Sequence, residues 1–494
     1  MSHLTAHLLP HLLPLRLATM VGSKHHFYSS EAAMAEIQPF RAYRYDTTKV
    51  RLDEVLTQPY DKISPAMQDK YYAASPDNLI VIEKGRSFPT DTPDNNVYTR
   101  AGAKVQEWIK NQILVQDAAP TITIYSQEYL VPGTQTKKTR IGFIALGRVE
   151  DYDAKVVFRH EYTLSGPKAD RIELLKHTHM QTGQLFLLYN DSAHQIDSML
   201  EEVMRKEIPF DMTDEYGVVH KIWPVTDAKF IARIQAAMKD KKILIADGHH
   251  RYETAINSRN EARKKAGPDS SKVDLYAPEE FAMMTFVNTH SKGMTILPTH
   301  RLISRMANFN FEKFRAGVAR TFDWYSYPFT NDEERAAAHD EFRKDLQSDK
   351  HKRRAIGVYA GASTGGFYLF ALRKDADLEQ LLPDISEAQR GLDIVLLHRL
   401  LIDKGLGISA EAVTAEKNVE YIREFDGAIA AVDKGDAQLA FLLNPVDVKQ
   451  VAEIALGGDV MPQKSTDFYP KLLSGVAIYN VDGERVVGEK KAGA

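Results

Sequence analysis

The stretch KKILIADGHHRYETAINSRNEARKKAG, residues 241–267, constrains the fold more than any other part of the chain. Its apolar tetrad ILIA reads as a short strand buried on both faces, and Tyr252, Ala255, Ile256 and Ala262 fall near one face of a helix. Asp247-Gly248-His249-His250-Arg251 therefore occupies a strand-to-helix junction, at the sheet edge where open α/β folds bind ligands.

The flanking sequence alternates in the same way. GVVHKIWPVTD reads as a strand, AKFIARIQAAMKD as a helix, and QLFLLY and FAMMTFVN as buried strands. Upstream, TITIYSQEYL and RIGFIALGRVE flank VPGTQTKKT, a hairpin with its turn at Pro132-Gly133, and Ser64-Pro65 starts a helix. Beyond residue 306, FEKFRAGVARTF and DEERAAAHDEFRKDL are helical, RAIGVYAG and GFYLFALR are strands, and LDIVLLHRLLIDKGLG is an amphipathic helix closed by glycine. The expected fold class is α/β (α+β). It has three parts: an extension over 1–33, an N-terminal region over 34–305 and a C-terminal α/β region over 306–494.

Composition narrows the chemistry. At 494 residues, 44% hydrophobic and 26% charged, the chain is long enough for two or three cores. A formal net charge of −4 gives no global attraction to nucleic acid or anionic membrane, so an anion site must be local and nucleic acid is not an expected partner. The absence of cysteine excludes disulfides, thiolate nucleophiles and Cys-ligated metals. Residues 1–30 contain no Asp or Glu, and Pro10, Pro14 and Arg16 interrupt their leucines before a bilayer-spanning length is reached. A leader or transit peptide is one reading of this stretch, and a dispensable extension ahead of an internal start at Met34 is the preferred one. The rest reads as a cytoplasmic globular protein with no membrane partner and an open oligomeric state.

The junction suits a phosphate. A helix start offers unpaired N–H groups, Gly248 admits a bulky anion, and His249, His250 and Arg251 add donors, with Arg251 able to bind in bidentate fashion. A carboxylate beside a phosphate calls for a cation, which makes Asp247 a candidate Mg²⁺ ligand. The competing reading has Asp247 capping the helix and both histidines structurally satisfied.

Other clusters carry related chemistry. RHEYTLSGPKADRIELL groups His160, Glu161, Lys168, Asp170 and Arg171, with Glu161 a candidate base and Lys168 and Arg171 candidate clamps on a phosphoryl group; a solvated helix face is the alternative. Thr299, His300 and Arg301 follow an apolar strand. Lys464, Ser465, Thr466 and Lys471 form a candidate closing loop, although the glycines of a true P-loop are missing. Tyr60 and Asp61 sit in a turn, where Asp61 is a second candidate metal or substrate ligand. His177 and His179 read as surface residues. No dinucleotide fingerprint and no nucleophile elbow is present.

Together, IADGHHRYETA, PFRAYRYD, PYDKIS, HEYTLSGPKADR, ILPTHRL and MPQKSTDFYPKLLSG resemble, from Ala35 to Val481, a prokaryotic family with a domain of unknown function that is sometimes labelled ParB-like. Over about residues 214–305 the junction is also similar to the ParB/sulfiredoxin-like superfamily, which includes free serine kinases. The resemblance implies a ParB/sulfiredoxin-like core with N-terminal elaboration, nucleotide phosphates at the junction, and ATP or ADP as phosphate donor. The expected function is a small-molecule kinase acting on free serine or a similar hydroxy compound with Mg²⁺. His160, Glu161, Lys168 and Arg171 are its catalytic candidates. Residues 247–251, 299–301 and 464–466 are its nucleotide-binding candidates. The alternative is a ParB-like nucleotide-binding module that regulates a partner or DNA, and a third reading is a relic without catalysis. The main basic cluster, EFRKDLQSDKHKRR, is mixed with acids, unlike a DNA-binding helix-turn-helix, which favours an enzyme. Transfer requires groups on both sides of the phosphoryl group, so residues 160–171 are expected beside residues 247–251.

Overall fold

The structure, a computed structural model, describes residues 35–161, 166–267, 273–348 and 354–486, without the side chains of residues 166–168. The 1–33 extension and the Lys168 side chain lie outside the described residues.

Nine strands form the first sheet: β1 (Ile37–Gln38), β2 (Ile122–Leu130), β3 (Lys137–Arg148), β4 (Val157–Phe158), β5 (Leu185–Tyr189), β6 (Phe210–Thr213), β7 (Val219–Val225), β8 (Ile243–Asp247) and β9 (Phe281–Asn288). Their order is β4-β8-β5-β9-β3-β2-β7-β6, with β1 added to β3. The pairs β4/β8 and β5/β9 are parallel and the remainder antiparallel. The expected hairpin is β2–β3, closed by a turn in which Gly133 has a φ of 73°.

A second, six-stranded antiparallel sheet follows: β10 (His300–Ile303), β11 (Phe322–Pro328), β12 (Ala355–Tyr359), β13 (Gly366–Leu372), β14 (Val419–Ile422) and β15 (Leu439–Leu442), in the order β11-β13-β12-β15-β10-β14. It begins at His300. The tail of the chain does not stay with it: Ser474 bridges to Thr57, Ile478 to Tyr43, and Tyr479 pairs with Gln181. This return carries Asp467 and Lys471 back to the first sheet, which no local pattern announces.

The helices that matter here are α1 (Pro65–Ala74), α2 (Val97–Lys110), α3 (Gly166–Thr178), α4 (Ala228–Met238), α5 (His249–Lys265), α6 (Phe311–Val318), α7 (Asp332–Leu346), α8 (Phe425–Asp433) and α9 (Val448–Leu456). Ser64 caps α1 through the Met67 N–H at 3.2 Å, with Pro65 at the first helical position. The expected glycine-closed helix runs from Asp393 to Leu406, with a π-helical stretch over Leu397–Asp403, and ends at Gly407 with a φ of 71°.

Strand alternation divides the core. Ile243 and Ile245 of β8 pack with Ile234 of α4 and Tyr252 and Ala255 of α5. Leu244 and Ala246 face a larger cluster that also holds Trp108 of α2, Phe314 of α6 and Phe441 of β15. A strand buried on both faces has no polar position to spare, which is why β8 and β9 read as nearly continuous apolar runs. Among the described residues, no helix is long and apolar enough to cross a membrane.

Candidate active site

The register of β8 against β5 shifts between Ile245 and Asp247. Gly248 follows with a φ of 97°, in the left-handed region that glycine adopts without a Cβ penalty. A Cβ there would stand 3.0 Å from Leu185 Cδ2 and 3.2 Å from Arg251 Nε, because the Arg251 guanidinium folds back over the glycine. Arg251 also donates to the Gln184 carbonyl at 2.6 Å. Buried Tyr252 anchors the first turn of α5 by donating to the Glu150 carbonyl at 2.8 Å. No side chain caps α5, so Asp247 is not its cap and the helix start keeps its positive end for a ligand. His250 lies partly exposed on the same turn.

Asp247 is engaged by an ammonium. Lys471 Nζ lies 2.8 Å from Asp247 Oδ2 and 3.1 Å from Asp467 Oδ1, and Arg423 holds Asp467 at 2.6 Å. Burial favours the neutral acid, but Lys471, Arg251 and Lys62 prevail and hold Asp247 well below the ordinary carboxylate range. Burial likewise opposes the charge on Lys471, yet Asp247, Asp467 and Asp61 raise it. Lys62 is lowered by burial and by Lys471.

These donors do not fit a resident Mg²⁺. The ammonium already supplies the countercharge at Asp247, and exposed Asp61 belongs to the same balance through Lys62 and Lys471. Among the described residues, no group of three or more His, Asp or Glu is placed to hold a metal. Of the two expected metal ligands, Asp247 is ion-paired with Lys471, and Asp61 acts on Lys62 and Lys471 through its charge.

Beside the junction, Arg171 of α3 and Arg251 of α5 line one cavity of about 60 Å³, together with Glu83, Thr182 and Gly183. Arg171 lies over the Tyr60 ring at 4.1 Å and donates to the Glu83 carbonyl oxygen at 3.0 Å. The Glu83 side chain is buried, at 2% exposure for the residue, and accepts from the Thr182 hydroxyl and from Ser474 Oγ at 3.1 Å. Sequence reading missed Glu83; its one signal is a carboxylate ending the apolar run LIVI. Leu175 and Thr254 also line a groove of about 490 Å³ that continues along α5 past Lys176, Asn257, Ser258 and Lys265.

His160 comes from the expected neighbouring segment and does adjoin the junction. Its Nδ1 lies 2.7 Å from the Ile245 carbonyl oxygen and so carries the proton, and its ring is 4.7 Å from that of His249. His160 Nε2 faces Thr466 Oγ1 at 2.8 Å, and Thr466 Oγ1 is 3.0 Å from Glu161 Oε1. The single hydroxyl proton of Thr466 serves only one of these two neighbours at a time. Glu161 also accepts the N–H groups of Ser465 and Thr466, both at 3.1 Å. Its carboxylate, expected as a base, holds the 464–466 loop and is not among the residues that line the Arg171–Arg251 cavity.

The residues 299–301 separate by strand alternation. Arg301 donates to the Thr299 carbonyl and, at 2.9 Å, to the Lys464 carbonyl, so it holds the loop from the other side. His300 points to the opposite face of β10, 5.5 Å from the Phe425 ring of α8, and accepts the Leu443 N–H at 3.1 Å. His300 thus faces away from the 464–466 loop. Lys464 supports the loop with its backbone, at a φ of 58°.

The sequence matches a family model described as "Protein of unknown function (DUF1015)" over residues 37–395. The chain belongs to this family. No curated protein matches it. Among solved structures, a conserved hypothetical protein from Pyrococcus furiosus aligns at 15% identity and a TM-score of 0.30, covering 65% of this chain and 92% of its own. A mutant free serine kinase in complex with ADP aligns at 14% identity and 0.31, covering 69% and 92%. C-terminally truncated SbnI from Staphylococcus aureus aligns at 11% identity and 0.31, covering 67% and 85%.

Buried histidines give this DUF1015 chain a pH signature. Burial lowers His160 and His220 and lowers His249 well below the usual imidazole value, and it pushes His300 and His398 down to about 3. A histidine depressed in the fold binds its proton more readily when unfolded, so stability is lost as pH falls below about 6.5, by up to about 1.4 kcal/mol per pH unit for each. The melting temperature is expected to fall continuously from pH 7 to 5. A flat profile over that interval would contradict neutral buried imidazoles.

Proposed function

We propose that the protein is a phosphotransferase that binds a nucleoside phosphate at the β8–α5 junction and phosphorylates a small hydroxy compound. The observation that carries this reading is the convergence of Arg171 and Arg251 on one cavity beside the uncapped start of α5. In this scheme the Arg251 guanidinium and the N–H groups after Gly248 bind the phosphate oxygens, Arg171, which is paired with Asp170, adds its positive charge to the same cavity, and the nucleoside lies in the groove between α3 and α5. Glu83, which lines the same cavity, accepts the proton of the acceptor hydroxyl. The hydroxyl oxygen attacks the terminal phosphorus, and the bond from that phosphorus to the bridging oxygen of the nucleotide breaks.

Motif resemblance points to ATP or ADP as donor and to serine or a similar compound as acceptor, in the cytoplasm where nucleotides are available. Magnesium has no protein site in this scheme and takes part only as the counter-ion of the nucleotide. The engagement of Glu161 with the 464–466 loop favours a second reading, a ParB-like nucleotide-binding module without transfer.

Calorimetric titration with ADP, ATP and adenosine tests the phosphate reading. The diphosphate is expected to bind at least about tenfold more tightly than adenosine, the scale of one charge-assisted hydrogen bond. Equal affinities would count against a phosphate site.

A further inference from the structure

His160 and His249, the first residue of α5, stand at the junction with their rings 4.7 Å apart. His249 is 9% exposed, and its Nε2 is buried without a hydrogen-bond partner among the described residues. His160 is fully enclosed, with Nδ1 against the Ile245 carbonyl oxygen at 2.7 Å and Nε2 against Thr466 Oγ1 at 2.8 Å. Glu161 Oε1 lies 3.0 Å from the same hydroxyl, so a neutral His160 and the carboxylate compete for its one proton. A second proton on His160 removes that conflict. Nε2–H then donates to Thr466, Thr466 donates to Glu161, and an unbroken chain joins an imidazolium to a carboxylate.

We propose that binding of a phosphate at the start of α5 makes the protein take up a proton, and that His160 carries it. The proposal rests on the phosphate reading of the junction and adds its control by pH. The charged and titratable groups around His160 are Glu161 beside it, Asp247 at the end of β8 and His249 on α5, and the Phe468 ring closes the tail side at 6.1 Å. His250 and Arg159 act on His249, and Arg301 of β10 acts on Glu161. In the free protein burial lowers His160, against Glu161, the Ile245 carbonyl and Asp247, which favour the charged form. A phosphate at the start of α5 adds negative charge one ring away and tips this balance toward the imidazolium. By linkage, nucleotide binding then tightens as pH falls.

The test is calorimetric titration of the full chain at pH 6.5 with adenosine 5′-phosphosulfate, an ADP analogue whose terminal sulfate does not titrate near neutrality, in PIPES and in bis-Tris buffer. The difference in heat between the two buffers reads the protons taken up, and about 0.3–1 per bound nucleotide is expected. Affinity is expected to rise by up to about tenfold per pH unit from pH 8 to pH 6. His160→Gln is expected to remove at least about half of the uptake, the remainder residing on the partly exposed His250. Thr466→Val, which cuts the chain between His160 and Glu161 at a partly exposed position, is expected to act in the same direction and keeps the test decisive where His160→Gln does not fold. Binding with equal heats in both buffers, or wild-type uptake in either folded variant, would overturn the proposal alone. Absence of nucleotide binding would be the failure of the phosphate reading, and the proposal would fall with it.

Discussion

Replacing Arg251 by alanine is expected to weaken ADP binding by about 10- to 150-fold, the equivalent of about 1.5–3 kcal/mol for lost charge-assisted hydrogen bonds. The side chain spans the site, since one end-nitrogen holds the Gln184 carbonyl at 2.6 Å while the guanidinium lies over Gly248 and lines the cavity shared with Arg171. Arg251→Lys is expected to recover only part of the loss, because an ammonium keeps the charge without the planar fork. Calorimetry on both variants, with circular dichroism as the check on folding, measures the effect. Unchanged affinity in a folded Arg251→Ala protein would remove the junction from the binding site.

Lys471→Met is expected to destabilise the fold by about 3–5 kcal/mol, the cost of leaving a buried charge without its partner. Lys471 lies between Asp247 and Asp467; without it Asp467 keeps Arg423 at 2.6 Å, whereas Asp247 keeps only the longer contact with Arg251 at 4.0 Å among the described ion pairs. Adding Asp247→Asn is expected to restore part of the stability, since the double variant no longer holds a carboxylate stripped of its closest cation. The pH dependence has a definite sign. Asp247 is depressed in the native fold, so its ion pair contributes fully above the unfolded carboxylate value of about 3.9 and is lost as pH falls toward the native value. In Lys471→Met the carboxylate protonates more readily, and the gap to wild type narrows on acidification. Urea denaturation at pH 7 and pH 4 measures both effects, and a gap that widens at pH 4 would contradict the pairing.

The parts of this architecture that follow from local periodicity were legible in the sequence. The β2–β3 hairpin, the Ser64 cap and the passage from β8 through Gly248 into α5 all rest on residues within a few positions of one another. The Thr299–Arg301 triplet shows where a run of functional residues misleads: on a strand, neighbours face opposite ways, so His300 and Arg301 serve different sides of the second sheet. Glu161 was legible as chemistry but not as geometry, because the groups it binds lie 304 and 305 residues further along. Asp247 and Lys471 are separated by 224 residues, and only the return of the tail to the first sheet joins them. Glu83 carries no local signal beyond ending an apolar run, and its place among Arg171 and Arg251 depends on the cavity that the fold builds around it.

Transfer of radiolabelled phosphate from the terminal position of ATP or ADP to pooled amino acids and hydroxy acids tests the central claim most directly. The account predicts a labelled phosphomonoester whose formation falls at least about 100-fold in Glu83→Gln, the scale of a lost general base, while ADP still binds that variant. Saturable nucleotide binding with no label transferred to any acceptor in the pool would contradict phosphotransfer and leave a nucleotide-binding module.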